Sequence, residues 1–535
     1  MRRTIAVALS LALLTLALYS PVADFDFVSL DDPDYVAQNP IVSQGITLHG
    51  IGWAFTSFGE VGNWHPLTWM SHMLDVTLFG MHAGAHHMVG ALLHTGAAVV
   101  LFLSLSAATG ATWPCALTAA LFAVHPLHVE SVAWIAERKD VLAALLGFTA
   151  IGAWVRYARR PAVGTYSLAI GVFVLGLLAK PTLVSLPIVF VILEWWPLGR
   201  WGRRPAAVES SGGERCRTFV QDRRLILVDK LPPLALAVGL GAVTWVAQQR
   251  AGALNLMDTG HRSLRYANAL VSYVRYLGKT FWPVELAVSY PYPATMPSVW
   301  RIVGVLLVLA GLTAVALRVR RGYPWFLAGW TWYLATLLPM AGFVKIGGQA
   351  LADRYTYIPL VGVFAAFAWS LRLWSSRTSS LLAGVFPVLA GVLPLLALLP
   401  VTAAQLSTWR NNETLFAQLA AVAPDSFRVR AETEYRRGLA LAVAKRYEEA
   451  KAHLAAALRI RPRMSEARNT LGAVLLLEGR DAEAAAQLRA GLAINANDPL
   501  LHQNLATALW RLGQDAEAGL HEREANRLEA LQPRH

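Results

Sequence analysis

Residues 165–197 read TYSLAIGVFVLGLLAKPTLVSLPIVFVILEWWP, with Lys180 and Glu194 as the only charged side chains in the run. A helix that crosses the hydrocarbon core of a bilayer needs roughly 20 mostly apolar residues. This stretch is long enough for two spans, with Lys180-Pro181 at the turn. Similar runs recur along the chain, and about eleven spans are expected: 4–20, 88–108, 112–128, 140–157, 165–179, 181–197, 231–248, 299–317, 323–341, 356–374 and 380–404. Composition agrees. Of 535 residues 55% are hydrophobic and 15% charged, with a mean hydropathy of +0.43, whereas a soluble domain carries about a quarter charged residues. The expected fold class is all-α, a polytopic membrane domain (1–404) followed by a connecting helix (405–430) and a helical-repeat domain (431–535).

Lys+Arg 47 against Asp+Glu 34 leaves a net charge of +13. In a membrane protein such an excess belongs first to cytoplasmic loops, and no nucleic-acid partner is expected. Arg2 and Arg3 precede the first span, and Arg156, Arg159 and Arg160 follow the fourth. Arg200, Arg203, Arg204 and a basic run to Lys230 follow the sixth. Arg318, Arg320 and Arg321 follow the eighth, and Arg372 and Arg377 the tenth. All fall on one side if the N-terminus is cytoplasmic. An odd span count then places the C-terminal domain outside, so a multi-pass protein of the cell inner membrane with periplasmic repeats is expected. Arg2-Arg3, the short run Ile5–Tyr19 and Pro21-Val22-Ala23 resemble a secretory signal, but no convincing small-x-small site precedes Asp24, which favours an uncleaved anchor. The 19 Trp suit interfacial belts. Cys115 and Cys216 exclude a disulfide scaffold or Cys-rich metal cluster. One falls in a span and the other in a cytosolic loop, so they should not pair.

From about residue 431 a period of 34 appears. Gly438, Gly472 and Ala506 keep that spacing, as do Ala450, Ala484 and Ala518, Gly479 and Gly513, and the Asp-Ala-Glu triplets at 481–483 and 515–517. Three units are expected, at 431–464, 465–498 and 499–532. The spacing is that of the tetratricopeptide repeat, a helix–turn–helix unit whose small residues let two helices approach closely. Such repeats bind extended peptides or partner helices; a spacer or dimerisation face is the plainer alternative.

The unusual polar residues gather in the segments facing away from the basic loops. The first, 21–87, contains Asp31-Asp32-Pro33-Asp34-Tyr35. Adjacent carboxylates repel, and either Asp31 or Asp32 could serve as a base while the other orients it. Capping or turn roles for Asp31 and Asp34 are the plainer alternative. His65 and His72 follow, on a short amphipathic stretch (65–80) with Trp64 and Trp69 that suits the interface plane. His82, His86 and His87 cluster without HExxH or comparable ligand spacing, and no metal is expected. The second segment runs from His125 to Asp140. His125 and His128 would share a helix face, Glu130 lies beside them, and Arg138 and Lys139 could neutralise a phosphate. The third (249–298) carries a basic-aromatic helix at 262–282, interfacial or re-entrant. The fourth offers Lys345, Arg354 and Tyr355, and Lys180 stands at another outer turn. Such polar groups are costly near a bilayer and mark a site or wet cavity; interfacial anchoring is the bland reading.

The Asp31–Tyr35 opening, His65-Pro66-Leu67-Thr68-Trp69, the His125–Asp140 segment and Ala352-Asp353-Arg354-Tyr355-Thr356-Tyr357-Ile358-Pro359, in this order and ahead of a repeat domain, resemble the transmembrane and tetratricopeptide-repeat O-mannosyltransferase family and its bacterial relatives. The resemblance covers nearly the whole chain. It implies a GT-C-like glycosyltransferase that takes a sugar from a polyprenyl-phosphate donor at the outer face, without a cofactor. Acidic residues of the first outer loop, here Asp31 and Asp32, would be catalytic. His65, His125, His128, Glu130, Arg138, Lys139, Lys180, Lys345, Arg354 and Tyr355 would bind substrate, the basic ones stabilising the leaving lipid phosphate. The repeats would engage a protein or peptide acceptor, although three repeats are fewer than many eukaryotic relatives carry. Transfer to a surface glycan or lipid, and a non-catalytic scaffold or transporter, are the competing readings. A transporter should carry ionisable residues near the midplane, where His94 alone is obvious.

Overall fold

The computed structural model describes residues 2–58, 64–201, 227–250, 262–293, 295–343, 349–377 and 381–531. Their regular structure is helical, apart from one antiparallel bridge between Tyr290 and Leu351. Among the described residues six helices are long and apolar enough to cross a membrane: Arg2–Asp24, Ala83–Thr109, Ile135–Arg159, Leu231–Gln249, Val299–Val319 and Val388–Ser407. The bent pair Thr112–Val124 and Pro126–Ala133 would make a seventh. The expected count of eleven goes beyond this. Val163–Ala179, Pro181–Trp195 and Leu360–Leu373 are apolar but shorter, and the run 323–341 yields a helix of only 14 residues, Pro324–Leu337. At 1.5 Å per residue such a helix rises roughly 21 Å, short of a core of about 30 Å.

Proline sets these breaks. Its ring forces the residue before it out of the helical region. Lys180, before Pro181, has φ −153° and ψ 126° and divides the 165–197 run in two. His125, before Pro126, has φ −73° and ψ 131° and bends the second run by 56°. His65 precedes Pro66 in the same way, with φ −148° and ψ 68°. Three polar residues are thus lifted off apolar helices at the points where the chain turns. The helix Pro66–Phe79 is not a surface plank: Trp69, His72, Met73 and Asp75 are buried. Arg262–Phe281 is a single amphipathic helix and is not among the candidate spans. Cys115 is buried in Thr112–Val124, and Cys216 lies outside the described residues.

The C-terminal region forms three helix pairs: Phe427–Val443 with Tyr447–Ile460, Ser465–Leu477 with Asp481–Leu492, and Pro499–Arg511 with Asp515–Leu531. A Cβ on Gly438 would lie 2.7 Å from Leu454 Cγ and one on Gly472 2.6 Å from Leu488 Cγ, so the period-34 small residues are the points of closest helix contact. The helix Asn412–Val422 opens on a capping box between Asn411 and Thr414. It buries Leu415, Phe416 and Leu419 in the same core as Trp409 and Val429, so the connecting segment is packed onto the membrane domain.

Gly479 and Gly513 close their turns at φ +73°. The position 34 residues before Gly479 is Lys445, which holds φ +61°. A side chain there costs about 1 kcal/mol. Lys445→Gly is expected to slow hydrogen exchange in Phe427–Ile460 of the full chain, raising local stability by up to about 1 kcal/mol. No change, or faster exchange, would show that the turn carries no strain.

Candidate active site where the polar segments meet

The two adjacent aspartates have different surroundings. Asp32 is fully buried. Its Oδ2 accepts the Val28 N–H at 3.0 Å and its Oδ1 the Ala136 N–H at 2.9 Å. It therefore ties the 21–87 segment to the 125–140 segment. Burial pushes its pKa up to about 7 against the pull of these two donors. Asp31 keeps 33% of its side chain exposed, and its Oδ1 faces Arg428 Nη2 at 3.1 Å. Desolvation would raise the Asp31 pKa, but the charges of Arg428, Lys139 and Arg354 outweigh it and hold the carboxyl below its usual range.

Next to them lies a buried network of three acids and three bases. Lys139 Nζ meets Glu137 Oε1 at 3.0 Å. Lys180 Nζ meets Glu137 Oε2 at 3.2 Å and Asp140 Oδ1 at 2.7 Å. Arg354 binds Glu130 through its backbone N–H, at 3.0 Å, and through Nη1, and its Nε meets Glu137 Oε1 at 3.2 Å. Glu130, Glu137 and Asp140 thus balance Lys139, Lys180 and Arg354. Removing one member of such a set leaves an unpaired charge in low dielectric, which is why these groups come as a set. Arg138 is separately committed, to Asp75 and to the His86 carbonyl.

Aromatic rings frame the site. Tyr35 stacks on His65 at 5.3 Å and Trp69 at 4.8 Å, and Lys139 Nζ lies 4.5 Å from the Tyr35 centroid. Arg354 and Arg428 both lie over Trp134, at 5.3 and 5.7 Å. Tyr355 accepts from Gln349 Nε2 at 2.8 Å and helps line a cleft with Tyr292 and Met340, enclosing ≈ 270 Å³ of empty space partly open to solvent.

The structure brings Asp31, Asp32, His65, Glu130, Lys139, Lys180, Arg354 and Tyr355 to this pole. His125 and His128 do not share a regular helix face, because the Pro126 break intervenes. His125 Nε2 contacts the Thr280 carbonyl at 3.0 Å while Nδ1 accepts the Leu127 N–H, and His128 Nδ1 contacts the Phe122 carbonyl at 2.7 Å. Lys345 lies outside the described residues. Sequence reasoning passed over Asp75 and Arg428, whose partners are 63 and 397 positions away. Only the basic character of the repeat-domain start could have pointed to Arg428.

Two outcomes follow. Glu137→Gln should lower stability by roughly 3–5 kcal/mol, read by thermal unfolding in detergent, whereas Glu483→Gln, in an exposed pair with Arg480, should leave it unchanged. Equal effects would refute the buried balance. For Asp32, the folded pKa of about 7 exceeds the ordinary 3.8, so folding favours the protonated form. Its contribution to stability is full below 3.8 and lost as pH rises through about 7. Asp32→Asn should flatten the unfolding profile across that window; an unchanged slope would place the titration elsewhere.

Residues 441–509 match the family model for the tetratricopeptide repeat. The chain is 23% identical over 486 residues to protein O-mannosyl-transferase Tmtc1 of Drosophila melanogaster, covering 76% of this chain and 55% of that one. Human protein O-mannosyl-transferase TMTC1 is 24% identical over 491 residues, covering 82% and 53%. The chain therefore spans about half the length of the curated relatives it matches. An Archaeoglobus fulgidus oligosaccharyltransferase tethered with an acceptor peptide superposes with a TM-score of 0.41 at 15% identity, over 76% of this chain and 55% of that one. By sequence, this chain is a relative of the TMTC protein O-mannosyl-transferases and carries tetratricopeptide repeats of its own.

Proposed function

We propose that the chain is an integral membrane glycosyltransferase that moves a sugar, mannose in the relatives' name, from a polyprenyl-phosphate carrier to a hydroxyl of an exported protein. The observation that carries the reading is the placement of Asp31. It is a partly exposed carboxylate at the junction of membrane domain and repeats, beside Arg428 and within the field of Lys139 and Arg354.

Reach decides between the two aspartates before pKa does. Asp32 has the pKa nearer neutrality, but both its oxygens are engaged by backbone donors inside the protein. Asp31 is the base in this reading, and Asp32 fixes the loop that presents it. The acceptor oxygen attacks the anomeric carbon and its proton passes to Asp31. The bond between that carbon and the phosphate oxygen breaks, and the electron pair leaves with the lipid monophosphate. Because Lys139, Lys180 and Arg354 already face three acids, they offer the departing phosphate directed hydrogen bonds rather than net charge. Arg428 is the cation nearest the base. A carrier with a lipid tail accounts for an enzyme embedded in a bilayer. The repeats, docked beside Asp31, would hold the acceptor, and the reading places both outside the inner membrane, with the N-terminus cytoplasmic.

The test is transfer of radiolabelled mannose from mannosyl-phosphoryl-polyprenol to exported proteins by the purified chain in liposomes. Asp31→Asn should lower the rate at least about 100-fold while the protein elutes and melts as wild type. Full activity in that variant would remove Asp31 as base. Label appearing in glycan or lipid instead of protein would change the acceptor, and transfer only from a nucleotide sugar would overturn the donor.

A further inference from the structure

We infer that His72, Asp75 and His86 hold a divalent transition-metal ion, of the zinc class, beneath the loop that carries Asp31 and Asp32. His72 and Asp75 are three residues apart on Pro66–Phe79 and so share a face. Gly80, at φ +60°, turns the chain so that His86, near the start of Ala83–Thr109, comes back against them. One ligand atom from each lies within 4.8 Å of the others, and all three residues are buried.

The hydrogen bonds point to a cation site. His86 Nε2 lies 2.9 Å from the Gly80 carbonyl. A carbonyl only accepts, so Nε2 carries the hydrogen and Nδ1 of the neutral ring is a lone pair. That Nδ1 has no hydrogen-bond partner and sits 3.5 Å from Asp75 Oδ2, another acceptor. His72 is fully buried and both its ring nitrogens lack a partner. Buried polar groups left unsatisfied are uncommon and cost about 1–3 kcal/mol each. A metal ion would take the His86 Nδ1 lone pair and one of the two His72 nitrogens.

The surroundings fit as well. Ligating imidazoles donate their other N–H to a carbonyl, and ligating carboxylates are hydrogen-bonded in turn. Gly80 does this for His86 and Arg138 for Asp75, while His72 brings no such second contact. Two imidazoles and one carboxylate suit zinc and its neighbours rather than magnesium or calcium, and three protein ligands leave a position open. Ligands on one tetrahedral ion are about 3.4 Å apart for bonds of about 2.1 Å, so the three need to close by an ångström or so. The ring of Phe27 meets His86 edge-on at 5.5 Å, and Tyr35 meets His72 edge-on at 6.2 Å. Both flanks of the Asp31-Asp32 segment therefore rest on the ligand rings, and the ion fixes the floor of that segment. A protonated His86 in an Arg138–Asp75–His86 ion network is the competing arrangement.

The test is the metal content of the full chain purified in detergent, incubated with zinc and desalted. About one ion per chain is expected, His72→Ala with His86→Ala should lose it, and His82→Ala should keep it. Cobalt loading of the unaltered chain supplies a measurement that needs no variant: visible d–d bands of a low-symmetry site should appear and be bleached by zinc. Less than a tenth of an ion per chain, or no cobalt bands, would overturn the site in favour of the ion network. Retention of the ion in the double variant would place it elsewhere.

Discussion

Six charged side chains buried at one pole must neutralise each other, and this constrains everything around them. Glu130 and Glu137 come from the segment between two apolar helices, Lys139 and Asp140 from the start of the next helix, Lys180 from a proline break and Arg354 from a later loop. Each ion costs several kcal/mol to desolvate and recovers it only with a partner in good geometry. The pairing therefore fixes the relative position of three segments far apart in the chain. Asp32 adds the fourth by accepting the Ala136 N–H.

The repeats are part of the same assembly. Arg428 meets Asp31, Arg461 donates to the Leu30 carbonyl at 2.8 Å, Arg463 meets Asp34 at 3.2 Å, and Asn412 accepts the Ser29 N–H at 2.7 Å. Every one of these contacts falls on the short stretch around the two aspartates. The domain expected to engage an acceptor forms one wall of the candidate site. The repeat domain and the Asp31 carboxylate are thus physically adjacent.

Much of this was legible from local pattern. The 34-residue period is a one-dimensional signal, and the three helix pairs follow it, with the first beginning at Phe427 rather than 431. The apolar runs announced a membrane domain, but hydropathy does not register a bend. The proline at 126 breaks its run, and several others make helices too short to be read as spans on length alone. The gathering of polar residues at one pole was also readable, because segments linking apolar helices on the same side of a helical membrane domain have nowhere else to meet.

The sequence by itself determined the all-helical class, the repeats, the polar segments between apolar runs and the adjacent carboxylates, since each rests on local pattern. Only the tertiary structure decided that Asp32 is a buried clasp and Asp31 the exposed neighbour, that the expected phosphate-binding cations already face acids, and that His72 and His86 converge on Asp75. Those properties depend on burial and on partners up to 397 positions away, and a low dielectric acts on proximity in space, which no spacing in the chain records.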